Sequence, residues 1–121
     1  MKNNKRTAIA RAIKEGKWLE IHYRNESRHT TFWAAIKDIN PNTKVFSCDM
    51  FNFSYIDNKN KGYILNTSFK FDKVISARVL DETTYQVPRR LLNKIDRDPE
   101  RYDWLDFYLI DDNVLQYYLE C

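Results

Sequence analysis

Only two glycines occur in the 121 residues, Gly16 and Gly62. A phosphate-cradling loop of the GxxxxGKS/T or GxGxxG kind needs glycines at close spacing, so none can be assembled, and nucleotide hydrolysis by these residues is not expected. The two cysteines, Cys48 and Cys121, are far apart and form no CxxC pair. They provide neither a disulfide framework nor a zinc site and point to a reducing, cytoplasmic compartment. No apolar run approaches the roughly 18 residues of a membrane span. The basic start Met-Lys-Asn-Asn-Lys-Arg is not followed by the apolar stretch of a signal peptide. His22 and His29 stand seven residues apart with no cysteine or carboxylate at ligand spacing. Tetrahedral zinc needs about four convergent ligands, so no metal is expected. No glycine-flanked nucleophile supports a Ser/His/Asp set. The reading is of a chain with no catalytic residues, no metal and no cofactor.

Aromatics and charge are plentiful. Seven Phe, eight Tyr and three Trp lie within a hydrophobic fraction of 43%, enough for one compact core. The net charge of +3 is unevenly spread. Residues 1–80 hold 15 basic and 7 acidic side chains, a balance of +8, whereas residues 81–121 hold 5 basic and 10 acidic, a balance of −5. Two surfaces with different partners are therefore expected.

Periodicity predicts a first helix over Lys5–Lys14, with Ala8, Ile9, Ala12 and Ile13 on one face and Gly16 ending it. From Lys17 the period becomes two. Leu19, Ile21 and Tyr23 alternate with Trp18, Glu20 and His22 in a first strand. A second strand over about Thr30–Ile39 carries Phe32, Ala34 and Ile36. The Asn40-Pro41-Asn42-Thr43 turn leads into a third, Lys44–Phe51, which alternates Phe46, Cys48 and Met50 with Val45, Ser47 and Asp49. The stretch Asn52–Gly62 is expected to be a mobile loop, followed by strands at Tyr63–Lys70 and Val74–Leu80. Five short strands at close spacing suggest a small barrel or a strongly bent sheet. Pro88 and Pro99 are each placed to open a short helix, the second containing Tyr102, Trp104 and Leu105. A last helix is expected over about Asp112–Glu120. The abrupt end at Cys121 inside an apolar pattern reads as a domain excised from a longer protein.

The opening Ala12-Ile13-Lys14-Glu15-Gly16-Lys17-Trp18-Leu19-Glu20-Ile21-His22-Tyr23 resembles the start of WYL domains. The stretch Phe69-Lys70-Phe71-Asp72-Lys73-Val74-Ile75-Ser76-Ala77-Arg78-Val79-Leu80-Asp81 resembles their closing signature. The resemblance covers about residues 5–85. It implies an Sm- or SH3-like five-stranded barrel that serves as an accessory domain in bacterial regulators or nucleic-acid enzymes, binding a ligand or a strand. The segment from Tyr85-Gln86-Val87-Pro88 to Tyr102-Asp103-Trp104-Leu105 is similar to the stretch after a WYL-like domain at the front of some bacterial helicase-like proteins. Val45-Phe46-Ser47 stands where the family has Trp-Tyr-Leu, Thr67 where it has an arginine, and Lys73 at a second basic position. The resemblance thus implies the fold more than the ligand. The fold class expected is α+β, mainly β: an SH3/Sm-like barrel with its helix over residues 1–85, then a helical extension over 86–121.

The candidate binding set is Trp18, His22, Tyr23, Arg24, Arg28, Trp33, Lys37, Lys70, Lys73 and Arg78. Cations neutralise phosphates while flat rings stack on unpaired bases, so this mixture points to single-stranded DNA or RNA, or to a small anionic ligand. Strand alternation places Trp18, His22 and Arg24 opposite Leu19 and Ile21, and Trp33 with Lys37 opposite Phe32 and Ile36. Trp18 and Trp33 either form a stacking platform or are covered by helices. Tyr23 is expected to pack near the barrel mouth. Asp96, Asp98, Glu100, Asp103 and Asp106 would repel phosphates from the extension, which is expected to cap the barrel or to dock the following domain. The leading function is a non-catalytic accessory domain of a larger bacterial nucleic-acid-processing protein. The alternatives are a small-molecule-sensing effector domain of a transcriptional regulator and a protein-interaction module, including a homodimer.

Overall fold

The computed structural model describes residues 4–26, 28–52 and 62–110. Helix α1 (Lys5–Glu15) begins where the Asn4 side chain accepts the Arg6 and Thr7 backbone N–H groups at 3.0 and 3.4 Å. Two of the four donors that a helix start leaves unpaired are satisfied in this way. Gly16 ends the helix in the left-handed region, at φ 70°, with its N–H bonded to the Ala12 carbonyl. Ile9, Ala10, Ala12 and Ile13 are buried, which is the apolar face expected from the spacing.

Five strands follow: β1 (Trp18–Asn25), β2 (Arg28–Asn40), β3 (Val45–Phe51), β4 (Tyr63–Lys70) and β5 (Val74–Leu80). They form one antiparallel sheet in the order β4-β3-β2-β1-β5. Its inner face carries Leu19, Ile21, Phe32, Ala34, Ile36, Phe46, Cys48, Phe69 and Ala77, all buried in a cluster shared with α1. At the β2–β3 connection the Asn40 side chain accepts the Asn42 and Thr43 N–H groups, and the left-handed residue is Lys44 rather than an asparagine.

The sheet is open, and the closed barrel expected from the strand count is not formed. β4 and β5 are its two edges, joined end to end by a single 3-10 turn, Phe71–Lys73, rather than lying side by side. The core is closed by other means. Helix α1 packs on β5, and its Lys5 ammonium donates to the Phe71 and Val74 carbonyls at 3.2 and 2.8 Å. The Tyr23 hydroxyl accepts the Lys70 N–H at 2.9 Å, pinning β1 to the end of β4 across the inner face. Phe46 stacks on Phe69, with ring centroids 4.9 Å apart, and meets Trp104 of the C-terminal segment edge-on at 5.7 Å.

Helix α2 (Arg89–Arg97) starts directly after Pro88. Pro99 opens a 3-10 turn that ends at Tyr102, so Trp104 and Leu105 lie beyond the short helix expected to hold them. Leu91, Ile95, Tyr102 and Leu105 join the same buried cluster as the sheet, so the extension shares its core. Asp106 is buried against the start of α1. It accepts the Thr7 hydroxyl at 2.9 Å and the Asn4 amide at 3.2 Å, with the Arg6 guanidinium 3.4 Å away. The helix expected over 112–120 and the interior of the expected loop, 53–61, lie outside the described residues. Among the described residues no helix is long and apolar enough to cross a membrane.

Candidate functional site

The outer face of the sheet, opposite Leu19, Ile21 and Phe32, gathers the chemistry. Register places Arg78, Glu20, Trp33, Phe51 and Tyr63 in one row across β5, β1, β2, β3 and β4. Trp18 belongs to the neighbouring row, yet its ring lies 6.3 Å from that of Tyr63, centroid to centroid. Their strands are separated by two others, so only a strong curl of the sheet brings these rings together. Trp33 meets Phe51 at 6.2 Å, and Trp18 meets Tyr85 edge-on at 6.4 Å. Ala35, small and buried, lies among them. Trp18 and Trp33 are thus half-buried, each with aromatic neighbours.

Two concavities meet at this aromatic wall. A cup of about 320 Å³ is lined by Trp18, Trp33, Phe51, Tyr63 and Thr83. A groove of about 750 Å³ shares Trp18 and Tyr63 with the cup and continues past Ala35, Lys37, Asp49 and Tyr85 to Gly16 and Arg89. Lys37 and Asp49 form an ion pair at 2.8 Å, in which the carboxylate is 7% exposed and the lysine side chain 45%. Both residues sit at bulges, since register shifts fall between Ile36 and Asp38 and between Cys48 and Met50. Bulges re-aim side chains, which brings these two into line. The other Asp49 oxygen accepts the N–H of Asn66, a left-handed residue at φ 54°. The hydrogen bond to Asp49, and then its charge, hold the Lys37 ammonium above its ordinary pKa. Tyr85 donates its hydroxyl to the Ile36 carbonyl at 2.5 Å, and burial pushes its pKa well up.

The ten candidate residues divide into groups. Trp18, Trp33 and Lys37 meet at the cup and groove. Arg78 and His22 share that outer face, where Arg78 pairs with Glu20 at 3.2 Å and the His22 ring lies 3.8 Å from the same carboxylate. Arg24 is exposed near the far end of β1, and Arg28 is on β2 with its side chain outside what is described. Tyr23 does not join the site; its ring packs edge-on against Phe32 and Phe69 in the core. Lys70 and Lys73 are also elsewhere. Lys70 lines a separate groove with Asp38, Asn42 and Arg101, and Lys73 sits in the 3-10 turn. Both were candidates by charge alone, and charge fixes neither the face nor the end of the sheet on which a side chain stands.

Phe51, Tyr63, Tyr85 and Asp49 are site residues absent from the candidate set. Phe51 continues the outward series Val45, Ser47 and Asp49, so that signal was available. Nothing local in sequence marks Tyr85, which arrives from the segment after β5. Among the described residues no three His, Cys, Asp or Glu side chains gather to hold a metal ion.

Comparison with protein-family models, with curated proteins and with solved structures finds no match. The reading of the site therefore rests on its chemistry.

Proposed function

We propose that this chain is a non-catalytic, cytoplasmic, WYL-like module of a larger bacterial nucleic-acid-processing protein, and that it holds an unpaired DNA or RNA strand against its aromatic outer face. One observation carries the reading: four aromatic rings from the adjacent strands β1 to β4 converge on one side of the sheet, with Lys37 beside them and Arg78 and His22 on the same face. Stacking on such rings binds bases whatever their sequence, and neighbouring cations serve the phosphates. The antiparallel order, with both edge strands joined by one 3-10 turn, is compatible with the chain path of an SH3- or Sm-like barrel.

Lys37 and Arg78 already have carboxylate partners, so stacking carries more of the affinity than charge does. Each phosphate neutralised on a single strand adds about 0.7 to the slope of log affinity against log salt, and a slope of about −1 to −2 is expected. Fluorescence anisotropy with labelled single strands at several salt concentrations measures it. Absence of binding at low salt sinks the proposal. The double substitution Trp33→Ala with Lys37→Ala should remove binding while the fold persists.

The concavity of the site favours one further reading, a sensor of a small planar anion. It predicts a thermal shift with a free mononucleotide and no response to longer strands.

A further inference from the structure

We propose that the groove at the other end of the sheet, between the β2–β3 connection and α2, binds a small phosphomonoester. It shares no lining residue with the aromatic cup or the groove beside it, so it stands apart from the strand-binding proposal. Its volume of about 930 Å³ lies within the roughly 300–1,000 Å³ typical of small-molecule sites and leaves room for the organic part of an ester.

Three cations reach the groove from three elements: Lys70 from the end of β4, Lys94 from α2 and Arg101 from the 3-10 turn that Pro99 opens. Two of them are held in place. The Asn40 side chain fixes the β2–β3 turn by accepting the Asn42 and Thr43 N–H groups, and the Asn42 side chain in turn accepts the Arg101 guanidinium at 2.9 Å. Lys94 donates to the Asp38 carboxylate at 2.8 Å and to the Ile39 carbonyl at 3.3 Å. Side chains ordered beforehand lose less freedom when a ligand arrives.

Two carboxylates, Asp38 and Asp72, line the same groove, so the balance of charge decides what it takes. Asp38 is engaged by Lys94 and by Arg90, 3.6 Å away, and this trio keeps one positive charge. Arg101 is bonded to a neutral amide. Among the described residues neither it nor Lys70 has a carboxylate at ion-pair distance. With Arg90 included, four cations face two carboxylates, a surplus of two positive charges. A phosphomonoester carries about −1.5 to −2 at neutral pH and presents three acceptor oxygens. The planar fork of arginine matches phosphate oxygens, and the exposed Ser47 hydroxyl on the same wall adds a donor. A phosphodiester carries a single charge and matches the surplus less well.

The test is an NMR titration of the labelled protein with glycerol phosphate at fixed ionic strength. Saturable shifts of the Asn42, Ser47, Lys70 and Arg101 amide signals are expected, with the Trp18 and Trp33 indole signals unmoved. Lys70→Gln and Arg101→Gln should each weaken binding about tenfold, the size of one lost charge-assisted hydrogen bond, and Arg101→Lys should recover only part of its loss. Both side chains are exposed, so the variants should melt within a few degrees of the parent. Dimethyl phosphate, with one charge, should bind roughly tenfold more weakly than the monoester. Shifts that never saturate, an equal response to chloride at the same ionic strength, or unchanged affinity in both glutamine variants overturns the proposal. Equal binding of dimethyl phosphate overturns the assignment of a monoester and points instead to the phosphodiester backbone of a strand.

Discussion

Replacing Gly16 by alanine tests how the helix, the first strand and the groove wall are held in register. Gly16 has φ 70°, and an added Cβ would stand 2.8 Å from the Tyr85 carbonyl oxygen, a backbone atom. The left-handed region costs a residue with a Cβ roughly 1–2 kcal/mol. The contact adds to this, because the chain at Tyr85 is not free to retreat. Its N–H donates to the Gly16 carbonyl at 2.9 Å, and its side chain is tied to Ile36 and packed on Trp18. Overpacking against a held backbone costs about 1–3 kcal/mol, so the total is about 2–5 kcal/mol. At about 0.25 kcal/mol per degree for a chain of this length, Tm should fall by roughly 8–20 °C. Urea unfolding followed by tryptophan fluorescence, with a parallel thermal melt, measures both. Asparagine adopts left-handed geometry more readily but carries the same Cβ, so Gly16→Asn should recover only the backbone part. An alanine variant within about 0.5 kcal/mol of the parent, or full recovery with asparagine, would refute the reasoning.

Phe46 is fully buried and joins Phe69, Phe71 and Trp104, so Phe46→Ala should cost about 3–5 kcal/mol in urea unfolding; a loss below about 1 kcal/mol would mean the C-terminal segment is not seated on it. Burial, and then the charge of Asp49, push the Cys48 thiol up to about 12. In a Cys121→Ser background its alkylation at neutral pH should therefore follow global unfolding, and rapid labelling of the native protein would contradict this. The Asp38 carboxyl is held below 3.8: burial acts to raise it, but the Lys94 hydrogen bond at 2.8 Å, the Ile39 N–H and the charges of Lys94 and Arg90 together prevail. Its stabilisation is present above about pH 4 and lost as pH falls through the lower native value. Asp38→Asn should thus cost about 0.5–1 kcal/mol at pH 7 and converge with the parent in acid, whereas a gap independent of pH would count against the charge as its cause.

The elements were legible because their signals are local. Period-two alternation marked four of the five strands, and β4 and β5 agree with their expected limits, Tyr63–Lys70 and Val74–Leu80. Gly16 marked the end of α1 because few other residues turn left-handed cheaply. The outer face was half legible. Alternation put Trp18, Trp33 and Lys37 on it, whereas Lys70, a candidate by its charge alone, lies at the other end of the sheet. Tyr23 follows the inward series and is a core residue that ties β1 to β4.

From sequence alone come the helix, the strands, their two faces and the uneven charge, all set by neighbours a few residues apart. The tertiary structure decided the rest. Whether the sheet closes depends on what occupies the β4–β5 junction, and Lys5, 66 residues before Phe71 in sequence, helps to hold it. Whether Lys37 meets Asp49 depends on two bulges, and whether Trp18 meets Tyr63 depends on sheet curl. Bulges and curl come from cross-strand register, a property of paired strands that no single stretch of sequence contains.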